Sequence, residues 1–401
     1  MESFNLISIF LFDINTSDDD FIKNILEEFD LKENNLKYIA EKENDLLNIK
    51  TENIDCIVIF PFSTTRFSSL INLAETKLPI IIGSREDSFG NALEIYEYLA
   101  NNPNVELAFE LDEFKKRIKI IKAVKWIKQV KICLFNSEDE DLDNIAWYKN
   151  PVMLGKLNIH NIDPESFFNI YKSIESEVLE KVVDDWKNDY KVVESSLEDL
   201  LKSAQVYVAM KETMKSMGAQ VAYVLWCGQF TEKLGTKMCF ALAKLADEGY
   251  PTGCWRGENL LPLLILYSIT NKPVFVCEVF TRNKNTVTFR HCFAPSSYTT
   301  SKIVLKKWRN MENTVTGYCQ LPKGEVTLVN CGIGDKIVVA KGKLVDCKDL
   351  GGKNCRMTIW VEFEDENLIN RFVGREFGMV YGDYCEEVKE LSEKLDLEAI
   401  F

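Results

Sequence analysis

Apolar residues fall in short unbroken runs through the first third of the chain and in alternating positions through the last. The runs Leu6–Leu11, 54–60 (IDCIVIF) and 78–83 (LPIIIG) are rich in β-branched side chains, and Pro61 and Gly83 bound two of them. Continuous runs of this kind, separated by helical stretches, predict strands of a parallel sheet covered on both faces. The segment 91–100 (NALEIYEYLA) sets Leu93, Tyr96 and Leu99 on one helical face and predicts a covering helix. The pattern then repeats. Strands are expected at Lys131–Phe135 and 219–226, and helices at 206–217 and 236–248. In the last of these Cys239, Leu242, Ala243 and Ala246 recur at helical spacing, and Gly249 marks the stop.

After about residue 274 the period changes. Segments 274–280, Thr286–His291, 302–307, 325–329, 336–340 and 356–363 alternate with period two, with turns such as Pro322-Lys323-Gly324 between them. Short strands at this density predict a barrel or sandwich, and a helix over 386–395 closes the chain. The expected fold class is therefore α/β. Two Rossmann-like parallel-sheet domains (1–128 and 129–272) precede a C-terminal β-barrel-like domain with a tail helix (273–401).

Composition narrows the function classes. A net charge of −14 on 401 residues argues against a nucleic-acid partner, because a phosphate backbone selects a basic surface. The N-terminus runs straight into Asp18, Asp19 and Asp20 without a preceding Lys or Arg, so no signal peptide is expected. No apolar stretch approaches the roughly 18 residues of a membrane helix, and no membrane partner is expected. The 12 cysteines show no C-x-x-C spacing and sit mostly in apolar runs, which predicts reduced thiols and a cytoplasmic protein. With only 2 histidines, a three-histidine metal site cannot be built from one chain.

Strong catalytic motifs are missing: there is no Walker loop, no G-x-S-x-G and no H-E-x-x-H. Ser63, Thr64 and Thr65 follow a predicted strand and suit either a ligand loop or a helix cap. The acidic run 137–144 reads as a solvated loop, Gly332-Ile333-Gly334 as a hairpin turn, and His160 as a structural residue in a loop leading to a helix at Pro164. The informative stretch is 254–295. Glu258 precedes an apolar helix, Glu278 lies at the far end of a strand, and His291 ends the next strand. Two carboxylates and an imidazole at element ends suit a divalent metal such as Mn²⁺ or Mg²⁺. The same spacing also suits a simple cross-strand pair of Glu278 with His291.

Four segments together carry a resemblance: FGNALEIYEYLANN (89–102), MCFALAKLADEGYPTGC (238–254), NKPVFVCEVF with NTVTFRHC (271–292), and LPKGEVTLVN, NCRMTIWV and GMVYGDYCEEVKELSEKLDLEAI near the end. In this order they make the chain similar to the L-fucose and L-arabinose isomerase superfamily, especially its shorter members. The resemblance implies a homo-oligomer, a trimer or hexamer. It also implies a metal-dependent aldose–ketose isomerase, commonly with Mn²⁺, that acts on a sugar or sugar phosphate through an ene-diolate. By the same resemblance Glu278 and His291 are expected metal ligands and Glu278 an acid/base group; Glu376 is a candidate third ligand through oxygen, Glu258 is the nearest carboxylate to serve as acid/base partner, and Trp255 and Arg290 are candidate substrate contacts. Two departures stand out. Trp255 occupies the position after Cys254 where the family carries a catalytic Glu, and Arg375-Glu376-Phe377 stands where a histidine is usual. A second expectation follows from them, a catalytically degenerate sugar-binding or regulatory protein in which Trp255 offers a stacking face. Arg290 and Arg356 are possible anion contacts. A lyase or epimerase using the same metal and enediolate chemistry is a third reading.

Overall fold

A computed structural model describes residues 5–11, 19–29, 35–41, 43–46, 49–62, 70–136, 157–225, 232–255, 257–299, 301–332, 336–352 and 354–401. The chain divides into two compact units, Met1–Trp126 and Ile127–Phe401, so the segments expected as second and third domains share one unit. It is a mixed α/β protein with two parallel sheets and a closed antiparallel barrel near the C-terminus.

The first unit is built on strands β1 (Leu6–Leu11), β2 (Asn35–Ala40), β3 (Cys56–Pro61), β4 (Ile80–Gly83) and β5 (Val105–Ala108). They run parallel in the order β2-β1-β3-β4-β5, a doubly wound arrangement. Every residue of β1, β3 and β4 is buried, which is why these strands read as unbroken apolar runs. Helix Phe89–Leu99 buries Ala92, Ile95 and Leu99, so the buried stripe is shifted from the predicted one and Leu93 is exposed. On the other side of the sheet Phe10, Phe29, Phe60 and Phe114 pack ring on ring, each buried phenyl contributing about 1.5–3 kcal/mol. Ser63, Thr64 and Thr65 lie outside the described residues.

The second unit opens with a four-stranded parallel sheet made of β6 (Lys131–Phe135), β7 (Asn158–Ile162), β9 (Val221–Leu225) and β10 (Thr252–Trp255), in the order β10-β9-β6-β7. Here a sequence expectation is corrected. The segment holding His160 is strand β7, not a loop. It is an edge strand with a largely solvated face, so its polar character hides its pairing with β6. Helices Ser176–Asp189, Leu197–Met217 and Cys239–Asp247 pack together, with Trp186 edge-on to Phe240 at 4.6 Å. The acidic run 137–144 and Cys227-Gly228 fall outside the described residues.

The barrel comprises β11 (Phe275–Asn283), β12 (Thr286–His291), β15 (Gly324–Cys331), β16 (Lys336–Lys348), β17 (Met357–Phe363) and β18 (Glu376–Tyr381). Its order is β15-β18-β11-β12-β17-β16, and β15 pairs with β16 to close it. Closure removes the edges that an open sheet would expose. Phe275, Phe289, Met357, Ile359, Phe377 and Met379 belong to the buried core. On the outside, helix Leu260–Thr270 lies so close to β18 that a Cβ on Gly378 would stand 3.1 Å from Leu266. The expected strand at 302–307 is not part of the barrel. It forms β13 (Val304–Lys306), which pairs with β14 (Thr316–Tyr318) and β8 (Lys191–Val192) in a small separate sheet. The tail helix is Cys385–Lys394, followed by β19 (Glu398–Ile400) against β16. Among the described residues no helix is long and apolar enough to cross a membrane.

Candidate functional site

Strands β9 and β10 end side by side, and loops at the carboxyl ends of parallel strands are where α/β sheets commonly hold ligands. At this edge Tyr223 is fully buried and acts as a hub. Its hydroxyl donates to Asn259 Oδ1 at 2.8 Å and accepts from the Gly257 N–H at 2.9 Å, while Asn259 Nδ2 donates to Cys254 O at 3.2 Å. Gly253 lets the ring approach, since a Cβ there would stand 2.7 Å from Tyr223 Cε2. The network fixes the turn that carries Trp255 and Glu258. Burial, then the carboxylate of Glu376, the Cys254 sulfur and the carboxylate of Glu258 push the Tyr223 hydroxyl well above its usual range. One phenol thus senses two of the expected acidic site residues.

Tyr223→Phe removes the hydroxyl and strands the Gly257 N–H and Asn259 Oδ1. The variant is expected to lose about 1–3 kcal/mol, the cost of leaving buried polar groups without partners. A chemical-denaturation midpoint unchanged from wild type would show that the hub does not hold this turn.

Trp255 ends β10 with φ 102°, a conformation that residues with a Cβ avoid, and the residue is 37% exposed. Holding a non-glycine residue there costs on the order of 1–3 kcal/mol, and such outliers gather at ligand sites. Glu258 is half-buried, and its Oε2 lies 3.5 Å from where a Cβ on Gly374 would be.

A second group of candidate residues lies on the barrel strands. Register pairs Glu278 of β11 with Glu376 of β18 on one side and with Arg290 of β12 on the other. Arg290 Nε donates to Glu278 Oε1 at 2.7 Å and Arg375 Nη2 to Oε2 at 2.9 Å, so a guanidinium holds each carboxylate oxygen. The Arg290 guanidinium also stacks 4.2 Å from the centroid of the exposed Phe280 ring. Glu376 is buried at 2% exposure, with Asn330 Nδ2 donating to its backbone carbonyl at 2.8 Å. The acidic neighbours Glu278 and Glu376 add to burial in pushing the Cys277 thiol up.

His291 does not share this face. Side chains alternate along a strand, and register pairs His291 with Met357, one step out of phase with Arg290. Its Nε2 stands 3.5 Å from Cys254 Sγ and its Nδ1 3.3 Å from Phe293 O. It lines a small apolar cavity with Cys239, Cys254, Phe275 and Phe293; about 30 Å³ is room for little more than a water. The cross-strand partner of Glu278 is thus Arg290 and not His291. Among the described residues no group of three or more His, Cys, Asp or Glu side chains is arranged to hold a metal ion.

The structure therefore pairs Glu278 with Glu376 and Arg290 on the barrel wall, places Trp255 at the end of β10 and Glu258 just after it, and turns His291 to the barrel's inner side. Sequence reasoning missed Tyr223, Asn259 and Arg375. Tyr223 reads as one more apolar residue in a buried strand, and Arg375 becomes a partner only through pairing across β11 and β18. At the neighbouring end of β6, Asn136 is 2% exposed, and neither its Nδ2 nor its Oδ1 has a hydrogen-bond partner among the described residues. In comparisons with known proteins, the chain matches no protein-family profile and no curated sequence.

Proposed function

We propose that this chain binds a small polyhydroxylated molecule of the sugar or sugar-phosphate class at the carboxyl end of β10, on a scaffold of the L-fucose and L-arabinose isomerase type. The observation that carries the reading is Trp255, an exposed indole held at φ 102° at the end of β10, in the same unit as a barrel cluster of carboxylates and guanidiniums. An aromatic face packs against the C–H surface of a sugar, while carboxylates and guanidiniums accept from and donate to its hydroxyls. Glu278, held by Arg290 and Arg375, is a fixed acceptor rather than a mobile base.

Calorimetric titration with L-fucose, L-arabinose, their ketoses and the corresponding phosphates tests this. Trp255→Gly is expected to weaken sugar binding tenfold or more while stabilising the fold by about 1 kcal/mol, because glycine tolerates positive φ. No binding of any member of the panel to the wild-type chain would overturn the reading.

The cross-strand Glu278–Glu376 pairing, with Glu376 and Glu258 both close enough to act on the Tyr223 hydroxyl, favours a second reading as a metal-dependent ketol isomerase. Carboxylate oxygens are the donor type that a hard divalent cation such as Mn²⁺ takes, although among the described residues these carboxylates are not arranged as a ready-made metal site and two arginines hold Glu278. His291 does not fit that set, since it faces Cys254. When bound, such a cation would polarise the sugar carbonyl, and Glu258 would carry the proton. Mn²⁺-dependent exchange of the sugar C2 proton in D₂O, lost in Glu376→Gln, would favour this reading over binding alone. The protomer assembly that the resemblance implies, a trimer or hexamer, is part of the same proposal.

A further inference from the structure

Away from the β10 loop, two cysteines far apart in sequence meet at the ends of neighbouring barrel strands. Cys292 directly follows β12 and Cys355 lies just before β17, strands that pair antiparallel. Their sulfurs are 3.9 Å apart across a separation of 63 residues. None of the described cysteines is in a disulfide. Cys292 is half-buried and Cys355 only 6% exposed, so Cys292 is the more accessible of the two. Each sulfur is also held in place by a donor. The Trp308 indole N–H points at Cys292 Sγ at 3.0 Å, and Arg309 Nη2 approaches Cys355 Sγ at 3.7 Å. Arg309 reaches this position from a backbone with φ 49°, between Trp308 and Asn310 in the same turn. The Thr316 hydroxyl donates to the Cys292 carbonyl and ties the end of β12 to β14.

We propose that Cys292 and Cys355 form a redox-active dithiol, a modification site for a small peroxide such as H₂O₂, with Cys292 as the attacking and Cys355 as the resolving sulfur. A disulfide needs the sulfurs at about 2.05 Å, so they must close by about 1.9 Å, a movement within reach of side-chain rotation at two strand ends. In the first step the Cys292 sulfur bonds to one peroxide oxygen and the O–O bond breaks. The second oxygen leaves with the thiol proton as water, and Cys292 becomes a sulfenic acid. In the second step the Cys355 sulfur attacks the Cys292 sulfur and the S–O bond breaks. The leaving hydroxide departs with the Cys355 proton as a second water. Two electrons pass from the two sulfurs to one peroxide. The product links the end of β12 to the approach of β17, beside the buried Arg356.

The experiment treats the intact folded chain with H₂O₂ and maps peptides by mass spectrometry under non-reducing conditions, with thiols counted after denaturation. The expected result is the loss of two thiols, a Cys292–Cys355 linked peptide lighter by two hydrogens, and full recovery of the thiols with dithiothreitol. Cys355→Ser should leave Cys292 as a sulfenic acid, trapped by dimedone, and Cys292→Ser should protect Cys355. Should a serine variant fail to fold, blocking Cys292 in the folded wild type with N-ethylmaleimide gives the same arm. Oxidation that accumulates Cys292 sulfinic acid while Cys355 remains a thiol would overturn the proposal. So would linkage of either sulfur to a different cysteine.

Discussion

Arg356→Ala is expected to destabilise the unit Ile127–Phe401 by about 3–5 kcal/mol, the cost of breaking a buried ion pair by removing one partner. The side chain is only 3% exposed. Its Nη2 donates to Glu194 Oε2 at 2.7 Å, to Asn310 Oδ1 at 3.2 Å and to Lys307 O at 3.0 Å, its Nε reaches the same carbonyl at 3.1 Å, and Nη1 lies 3.5 Å from Asp349 Oδ1. Burial opposes the charged form of Asp349, but Lys306, the Gly351 amide and Arg356 outweigh it and hold the carboxyl below its usual range. Alanine would remove the donor that Glu194, Asp349, the Lys307 carbonyl and Asn310 Oδ1 share and leave a cavity in its place. Lysine restores the charge but not the planar fork, so Arg356→Lys should recover only part of the loss. A urea midpoint for Arg356→Ala within error of wild type, at unchanged slope, would remove the network from the list of stabilising features. Arg356 is thus a structural anchor where the sequence offered an anion contact.

Raising the pH from 9 to 11 is expected to remove on the order of 5 kcal/mol of stability through two thiols alone. Burial pushes Cys133 from 9.0 up to about 12, with Lys131 pulling weakly the other way. Burial and then the Glu258 carboxylate push Cys331 from 9.0 up to about 12. Above pH 9 the unfolded chain gives up these protons and the folded chain keeps them, so the unfolded state gains. The contribution is fully present below pH 9 and lost as pH rises toward 12, at about 1.4 kcal/mol per pH unit for each thiol. The Cys277 thiol and the Tyr223 hydroxyl, both shifted upward by burial, add to the loss. Since whole domains rest on about 5–15 kcal/mol, alkaline unfolding should begin near pH 10. Melting temperatures measured between pH 7 and 11 check this, and a flat profile to pH 11 would show that the thiols exchange with solvent in the folded state.

Much of the architecture was already written along the chain. Strands buried on both faces are dominated by apolar residues, so Leu6–Leu11 and Lys131–Phe135 are recognisable without a structure. Period-two alternation after residue 274 marked five of the six barrel strands but not β18 (Glu376–Tyr381), and Thr286–His291 has the predicted bounds. Strands with mixed polarity escaped: β2 (Asn35–Ala40), and β7 with His160, at sheet edges, and the short β10. Residue identity also fixed the stock of possible chemistry, with 2 histidines and 12 cysteines in the whole chain.

Which of those groups meet was decided only in three dimensions. Strand register has a period of two, so a shift of one position sends a side chain to the opposite face. Arg290 and His291 are adjacent in sequence, yet one grips Glu278 outside the barrel and the other faces Cys254 on its inner side. No local signal selects between them, because register depends on pairing with β11 and β17 together. The same holds for Cys292 and Cys355, whose 63-residue separation closes to 3.9 Å only when β12 and β17 pair. The sequence determined that this protein has parallel sheets, a β-rich end and carboxylates near a tryptophan. Tertiary pairing decided that Glu278 is clamped by arginines, that His291 stands apart, and that two thiols lie within reach of each other.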